Sequence, residues 1–94
     1  MIIWSPKARI TYFQILDYLE QNWSPKEILN FTSRTEKVLE LISTHPKLFH
    51  YSRSKDIFKC VLNRQISLFY RIRGENIELL LFWDARQDPK KLKI

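Results

Sequence analysis

The strongest constraint on this chain lies between Ile66 and Trp83. Two β-rich runs, Ile66–Arg73 and Ile77–Trp83, flank Gly74-Glu75-Asn76. Gly74 is the only glycine in the chain. It falls where a hairpin needs a backbone free to take positive φ. A strand alternates its side chains, so Ile66, Leu68, Tyr70 and Ile72 share one face and Ser67, Phe69, Arg71 and Arg73 the other. The first set is expected against a core. The second is expected partly open, with its two arginines as polar members.

Upstream, the hydrophobic period is helical. Apolar residues recur at Ala8, Tyr12, Ile15, Leu16, Leu19 and Trp23. Ser5-Pro6 precedes them, a Ser cap with Pro at the first helical position, and Asn22 marks the end. A second start follows at once. Ser24-Pro25-Lys26-Glu27 is a capping-box pattern. Ile28, Phe31, Thr35, Val38, Leu39 and Ile42 form its apolar stripe, with Leu29 at the margin. Thr44-His45-Pro46 ends this helix, because a residue before Pro avoids the helical region, and His45 closes its C-terminus. The two helices make an antiparallel hairpin. Short strands are then expected at Leu48–Tyr51 and Ile57–Leu62, separated by a polar loop over Ser52–Asp56, with Asn63-Arg64-Gln65 as a turn. Met1–Trp4 is a brief strand, expected at a sheet edge. The order predicts an α+β fold: an N-terminal helical hairpin packed on an antiparallel sheet of about four strands. Ninety-four residues predict one domain, 1–94.

Charge divides the chain. Met1–His45 holds five Lys/Arg and five Asp/Glu, whereas Pro46–Ile94 holds eleven and five. The whole net charge of +6 therefore belongs to the strand-forming half, which predicts a layer facing an anionic partner. A pure solubility role would not require such confinement. The longest apolar run, Leu79–Trp83, is far shorter than the ~20 residues of a membrane span. One cysteine, Cys60, excludes an internal disulfide and fits a reducing cytosol. No signal-peptide pattern follows Met1–Trp4. The expectation is a cytoplasmic protein with no membrane partner.

Three segments, IIWSPKA near the start, FYRI in the middle and DARQDPKKL at the end, resemble the RelE/ParE superfamily of toxins of bacterial type II toxin–antitoxin systems, which includes plasmid stabilisation proteins. The likeness runs from Ile2 to Leu92. It implies a compact sheet with an N-terminal helical hairpin, and a cognate antitoxin that folds onto the toxin. Homo-oligomers are also compatible with it. Two activities are implied. ParE-like members bind and poison DNA gyrase; RelE-like members cut messenger RNA on the ribosome.

Metal-free RNA cleavage needs a base, an acid and cations around the phosphate. RelE-like members resemble this scheme with Lys and Arg on the sheet and often a Tyr or His near the C-terminus. Arg86 matches the arginine of the C-terminal segment, but no Tyr or His follows Trp83, which departs from the RelE pattern. The candidate catalytic groups are Lys59, Arg71 and Arg86, with His50, Tyr51 and Lys55 as conceivable substitutes. Arg64, Arg71, Arg73 and Arg86 are the candidate target- or anion-binding set, because guanidinium groups grip phosphate or carboxylate in a fork and keep their charge. On adjacent strands they are expected to lie close together. The competing role is a cross-strand salt bridge, with Glu78 or Asp84 as partner. Trp83 reads as core rather than stacking platform, and Cys60 as buried. No metal-ligand spacing, glycine-rich phosphate loop or nucleophile elbow appears, so no cofactor or metal is expected. The departure at the C-terminus favours a ParE-like toxin acting by binding. A RelE-like endoribonuclease and a non-toxic antitoxin-binding relative remain the alternatives.

Overall fold

A computed structural model describes residues 1–92 and 94. The chain runs β1 (Ile2–Trp4), α1 (Pro6–Asn22), α2 (Pro25–Thr44), β2 (His50–Ser52), β3 (Ile57–Val61), β4 (Ile66–Arg73) and β5 (Asn76–Asp84), then a 3₁₀ turn at Pro89–Lys91. The sheet has five strands in the order β1-β5-β4-β3-β2. The expected four antiparallel strands are β2 to β5. β1 adds at the edge, as expected, but parallel to β5.

Both helices start where the Ser-Pro pairs predicted. Ser5 Oγ accepts from the Ala8 amide at 3.0 Å, and Ser24 Oγ from the Glu27 amide at 3.3 Å. Each such cap contributes about 1 kcal/mol. His45 closes α2 by donating its amide to Leu41 O at 2.8 Å. Gly74 turns the β4–β5 hairpin at φ +58. Several details differ from the reading of the sequence, among them the ends of β3, at Val61 rather than Leu62, and of β5, which spans Asn76–Asp84 rather than Ile77–Trp83. β2 spans His50–Ser52 rather than Leu48–Tyr51, and Leu48 is 60% exposed. Leu29 lies on the outer face of α2, exposed rather than marginal.

The main core lies between the helices and one face of the sheet. Ala8, Ile15 and Leu19 of α1 and Phe31, Val38 and Ile42 of α2 meet Leu68, Tyr70, Leu79 and Phe82. Trp4, Tyr12, Phe31 and Phe82 form a nest of rings with centroids 5.0–5.8 Å apart. β1 covers β5 only from Ile77 to Leu79. Beyond that point α1 takes over: Ser5 Oγ donates to Leu80 O at 3.0 Å, and the Phe82 amide donates to Thr11 Oγ1 at 2.9 Å. Two helix side chains thus satisfy a strand edge that would otherwise be unpaired.

The register contains one irregularity. Phe69 pairs with Leu81 and Tyr70 with Leu79, so Leu80 is an extra residue in β5. A bulge of this kind places two consecutive residues on one face. Leu80 and Leu81 both lie with Phe69 on the face away from the helices, and Phe82 returns to the core. This corrects the expectation for that outer face. It is not partly open around Phe69, which is 9% exposed. Ile57, Phe69 and Leu81 form a second buried cluster there, covered by Leu92 and Ile94 from the C-terminal tail.

Candidate functional site

The bulge decides where the predicted cations go. Before it, Arg71 and Glu78 are cross-strand partners on the outer face, and Arg71 Nε donates to Glu78 Oε1 at 2.7 Å. After it, the facing of β5 is reversed, so Asp84, opposite Ile66, lies on the helix side. Asp84 accepts Arg86 Nε at 2.9 Å and also pairs with Arg86 Nη2. Arg86 Nη1 donates to Tyr18 Oη at 2.7 Å, and the guanidinium carbon lies 4.4 Å from the Tyr18 ring centroid.

The expected arginine cluster is therefore not present. Glu78 and Asp84 are six residues apart along β5, roughly 20 Å at the usual rise, and the arginines they hold lie on opposite faces. Arg64 occupies the β3–β4 turn, and Arg73 the end of β4 opposite Asn76. Arg71 and Arg86 read as neighbours only if the alternation along β5 is unbroken. One inserted leucine removes that condition. Among the described residues, Arg64, Arg73 and Lys59 make no ion pair.

Arg86 serves as a latch. It ties the start of the tail to Asp84 beneath it and to Tyr18 on α1. Hydrogen bonding from the guanidinium holds the Asp84 carboxyl below the usual carboxylate range, although burial opposes this. An open groove of about 400 Å³ lies beside the latch, lined by Gln14, Tyr18, Asp84 and Gln87 among others. Tyr18 carried no signal in the sequence, because it lies at the flank of the α1 stripe and its role depends on a residue 68 positions away.

Lys59 projects from the outer face of β3, with its ammonium 6.0 Å from the Phe69 ring centroid. It pairs across the strands with His50. His50, Lys55 and Lys59 rim a groove of about 220 Å³ whose floor includes Phe69 and Ile57 and whose end is closed by Leu92 and Ile94. Tyr51 points the other way. Its ring is 4.7 Å from that of Phe58, and its hydroxyl donates to Asp56 Oδ1 at 2.6 Å.

The groups of perturbed acidity are ill suited to moving protons at neutral pH. Burial pushes the Cys60 thiol up to about 11, so it stays protonated. Tyr70 is raised by burial, and its hydroxyl donates to Pro46 O at 2.8 Å. Tyr12 is raised by burial as well, and Tyr51 by its bond to Asp56. Among the described residues, no group of three or more His, Cys, Asp or Glu side chains is placed to hold a metal ion. No helix among the described residues is long and apolar enough to cross a membrane. The surface of the described residues carries a groove rimmed by His50, Lys55 and Lys59 and the two ion pairs of Arg71 and Arg86.

A small mixed sheet backed by a helical hairpin is a fold shared with solved toxin–antitoxin proteins. A chromosomal ParDE toxin–antitoxin system from P. aeruginosa superposes with a TM-score of 0.73 at 17% identity, covering 89% of this chain and 94% of that one. A copper-bound mutant toxin from Helicobacter pylori gives 0.65 at 12% identity, covering 90% and 93%. A YoeB–YefM complex from Staphylococcus aureus gives 0.58 at 19% identity, covering 88% and 93%. No curated protein matches the chain in sequence. The family model for the ParE toxin of the type II toxin–antitoxin system parDE matches residues 2–89. The chain belongs to the ParE toxin family.

Proposed function

We propose that this chain is the toxin component of a type II toxin–antitoxin pair, acting in the cytoplasm as one domain. It works by binding an intracellular target such as DNA gyrase, and a cognate antitoxin neutralises it. The observation that carries this reading is the match to the ParE toxin model over residues 2–89. Two features support binding rather than bond cleavage. The thiol and the shifted tyrosine hydroxyls lie above the neutral range, which keeps them protonated. Arg71 and Arg86, two of the candidate catalytic cations, are each held by a carboxylate. Arg64, Arg73 and Lys59, exposed and without an ion pair among the described residues, are the cations we assign to the target surface.

The experiment is controlled induction in bacterial cells with two readouts. Filamentation with a DNA-damage response is expected. Rapid arrest of translation with cleaved transcripts would replace this reading with that of a ribosome-dependent endoribonuclease. An absence of any growth defect would point to a non-toxic relative that binds only its antitoxin.

A further inference from the structure

We propose that the groove between the start of α2 and the β3–β4 turn is a binding site for a free, zwitterionic amino acid with an aromatic side chain.

The groove encloses about 420 Å³, a volume suited to a small molecule. Its lining is of two kinds. Trp23, Phe31 and Leu62 are apolar, and Glu27, Asn30, Arg34 and Asn63 are polar. Phe31 and Leu62 are buried members of the main core, and the half-buried Trp23 packs against it, so the fold fixes this floor.

Local structure places the polar rim. Glu27, Asn30 and Arg34 are spaced three and four residues apart along α2, which puts them on one face of the helix. Asn63 stands across from them on the β3–β4 turn. Its Oδ1 accepts from the Gln65 and Ile66 amides, both at 2.9 Å. Those bonds fix the carboxamide and leave its two Nδ2 protons without a partner among the described residues.

Glu27 and Arg34 carry opposite charges and line the same groove, yet neither makes an ion pair among the described residues. Of the two bonds of a capping box, only that from the Glu27 amide to Ser24 Oγ is made there, so the carboxylate is not spent on its own helix. Arg34 acts inwards: burial raises the Cys60 thiol, and the Arg34 charge opposes the rise. Seven residues of helix separate the two charged residues by roughly 10 Å. Two charge-assisted bonds of about 2.8 Å, with the backbone of an amino acid between them, span roughly 9 Å. The ammonium then meets Glu27 and the carboxylate meets Arg34, with Asn30 and Asn63 as further donors. The side chain lies on the Trp23 and Phe31 rings.

Charge selects the class of ligand. A simple anion gains Arg34 but faces Glu27, and a simple cation meets the reverse, so a molecule bearing both signs fits best. None of the cations assigned to the target surface lines this groove, and the inference does not depend on toxicity.

The probe is L-phenylalanine, titrated into the isotope-labelled full chain and followed by NMR. Saturable shifts are expected at the Trp23 indole N–H and at the Asn30 and Asn63 side-chain amides. The Kd should be on the order of 1 mM, because an open rim leaves the charges partly solvated. 3-Phenylpropionate and phenethylamine, each lacking one charge, should bind about fivefold more weakly. Glu27→Gln should abolish the preference for phenylalanine over 3-phenylpropionate and keep that over phenethylamine. Arg34→Gln should do the opposite. Both side chains are exposed, and circular dichroism checks that each variant is folded. Variants that fail to show this crossed pattern would overturn the proposal, as would the absence of saturable shifts at the three named groups. Equal binding of N-acetylphenylalanine amide, which carries neither charge, would also overturn it and mark the groove as an apolar contact surface for a polypeptide.

Discussion

The two faces of the sheet bury apolar side chains for different reasons. The helix side is sealed by two helices, and its residues come from β1, both helices and strands β3 to β5. The outer side has no covering element of regular structure. Ile57, Phe69 and Leu81 are buried there beneath Leu80 and Trp83 of β5 and beneath Leu92 and Ile94 of the returning tail. The tail itself is held to the sheet by the Ala85 amide on Gln65 O and by the Arg86 latch. One face belongs to the fold. The other is a small hydrophobic patch under a strap, surrounded by cations. A chain of this size buries only about 60–65% of its unfolded surface, so the covered patch matters to its stability as well as to its chemistry.

The contrast breaks first at the core. Phe82→Ala removes a ring that touches Trp4 and Tyr12, and should cost about 3–5 kcal/mol in urea unfolding. Leu81→Ala, one residue further back but on the outer face, should cost less, about 2–3 kcal/mol, because the tail can settle into the space. Equal costs for the two would mean that the tail is as firmly placed as the helices.

The elements of the main core were legible because each carried local chemistry. Ser5-Pro6 and Ser24-Pro25 start helices by satisfying amides, and Gly74 reverses the chain at an angle few other residues adopt. The outer face was not legible. Leu79 to Phe82 is a run of four apolar residues, and apolar residues fit either face, so no polar residue reports the reversal at Leu80. The pairing of arginines with Glu78 and Asp84 was readable as an alternative, since both acids lie on the neighbouring strand or tail. Its consequence, that Arg71 and Arg86 lie on opposite faces, required the bulge. Tyr18 and the covering role of Leu92 and Ile94 arise from tertiary contacts with no local signature.

The two ion pairs sharpen the comparison. Arg86→Ala removes an interaction with two partners and should cost about 1 kcal/mol, while speeding proteolysis of the tail. Arg71→Ala removes a single contact between side chains that are 35% and 27% exposed, so its effect should fall within about 0.5 kcal/mol. If Arg71 proves the more costly of the two, the latch is not what fastens the tail.

The smallest effect is one of pH, and its sign follows from the latch. Asp84 titrates below its ordinary range when folded, because the guanidinium bonds to its ionised form. The unfolded chain then binds its proton first as the pH falls. The stabilisation is complete above the unfolded carboxylate value of about 3.9 and declines as the pH drops through the lower folded value. Asp84→Asn lacks this dependence. Urea midpoints of the two proteins should differ at neutral pH and converge towards strong acid. Salt should narrow the gap only slightly, since the Asp84 side chain is just 15% exposed. Curves that stay parallel down to the lowest pH would show that Asp84 contributes through its shape and hydrogen bonds alone, and that its charge does not fasten the strap.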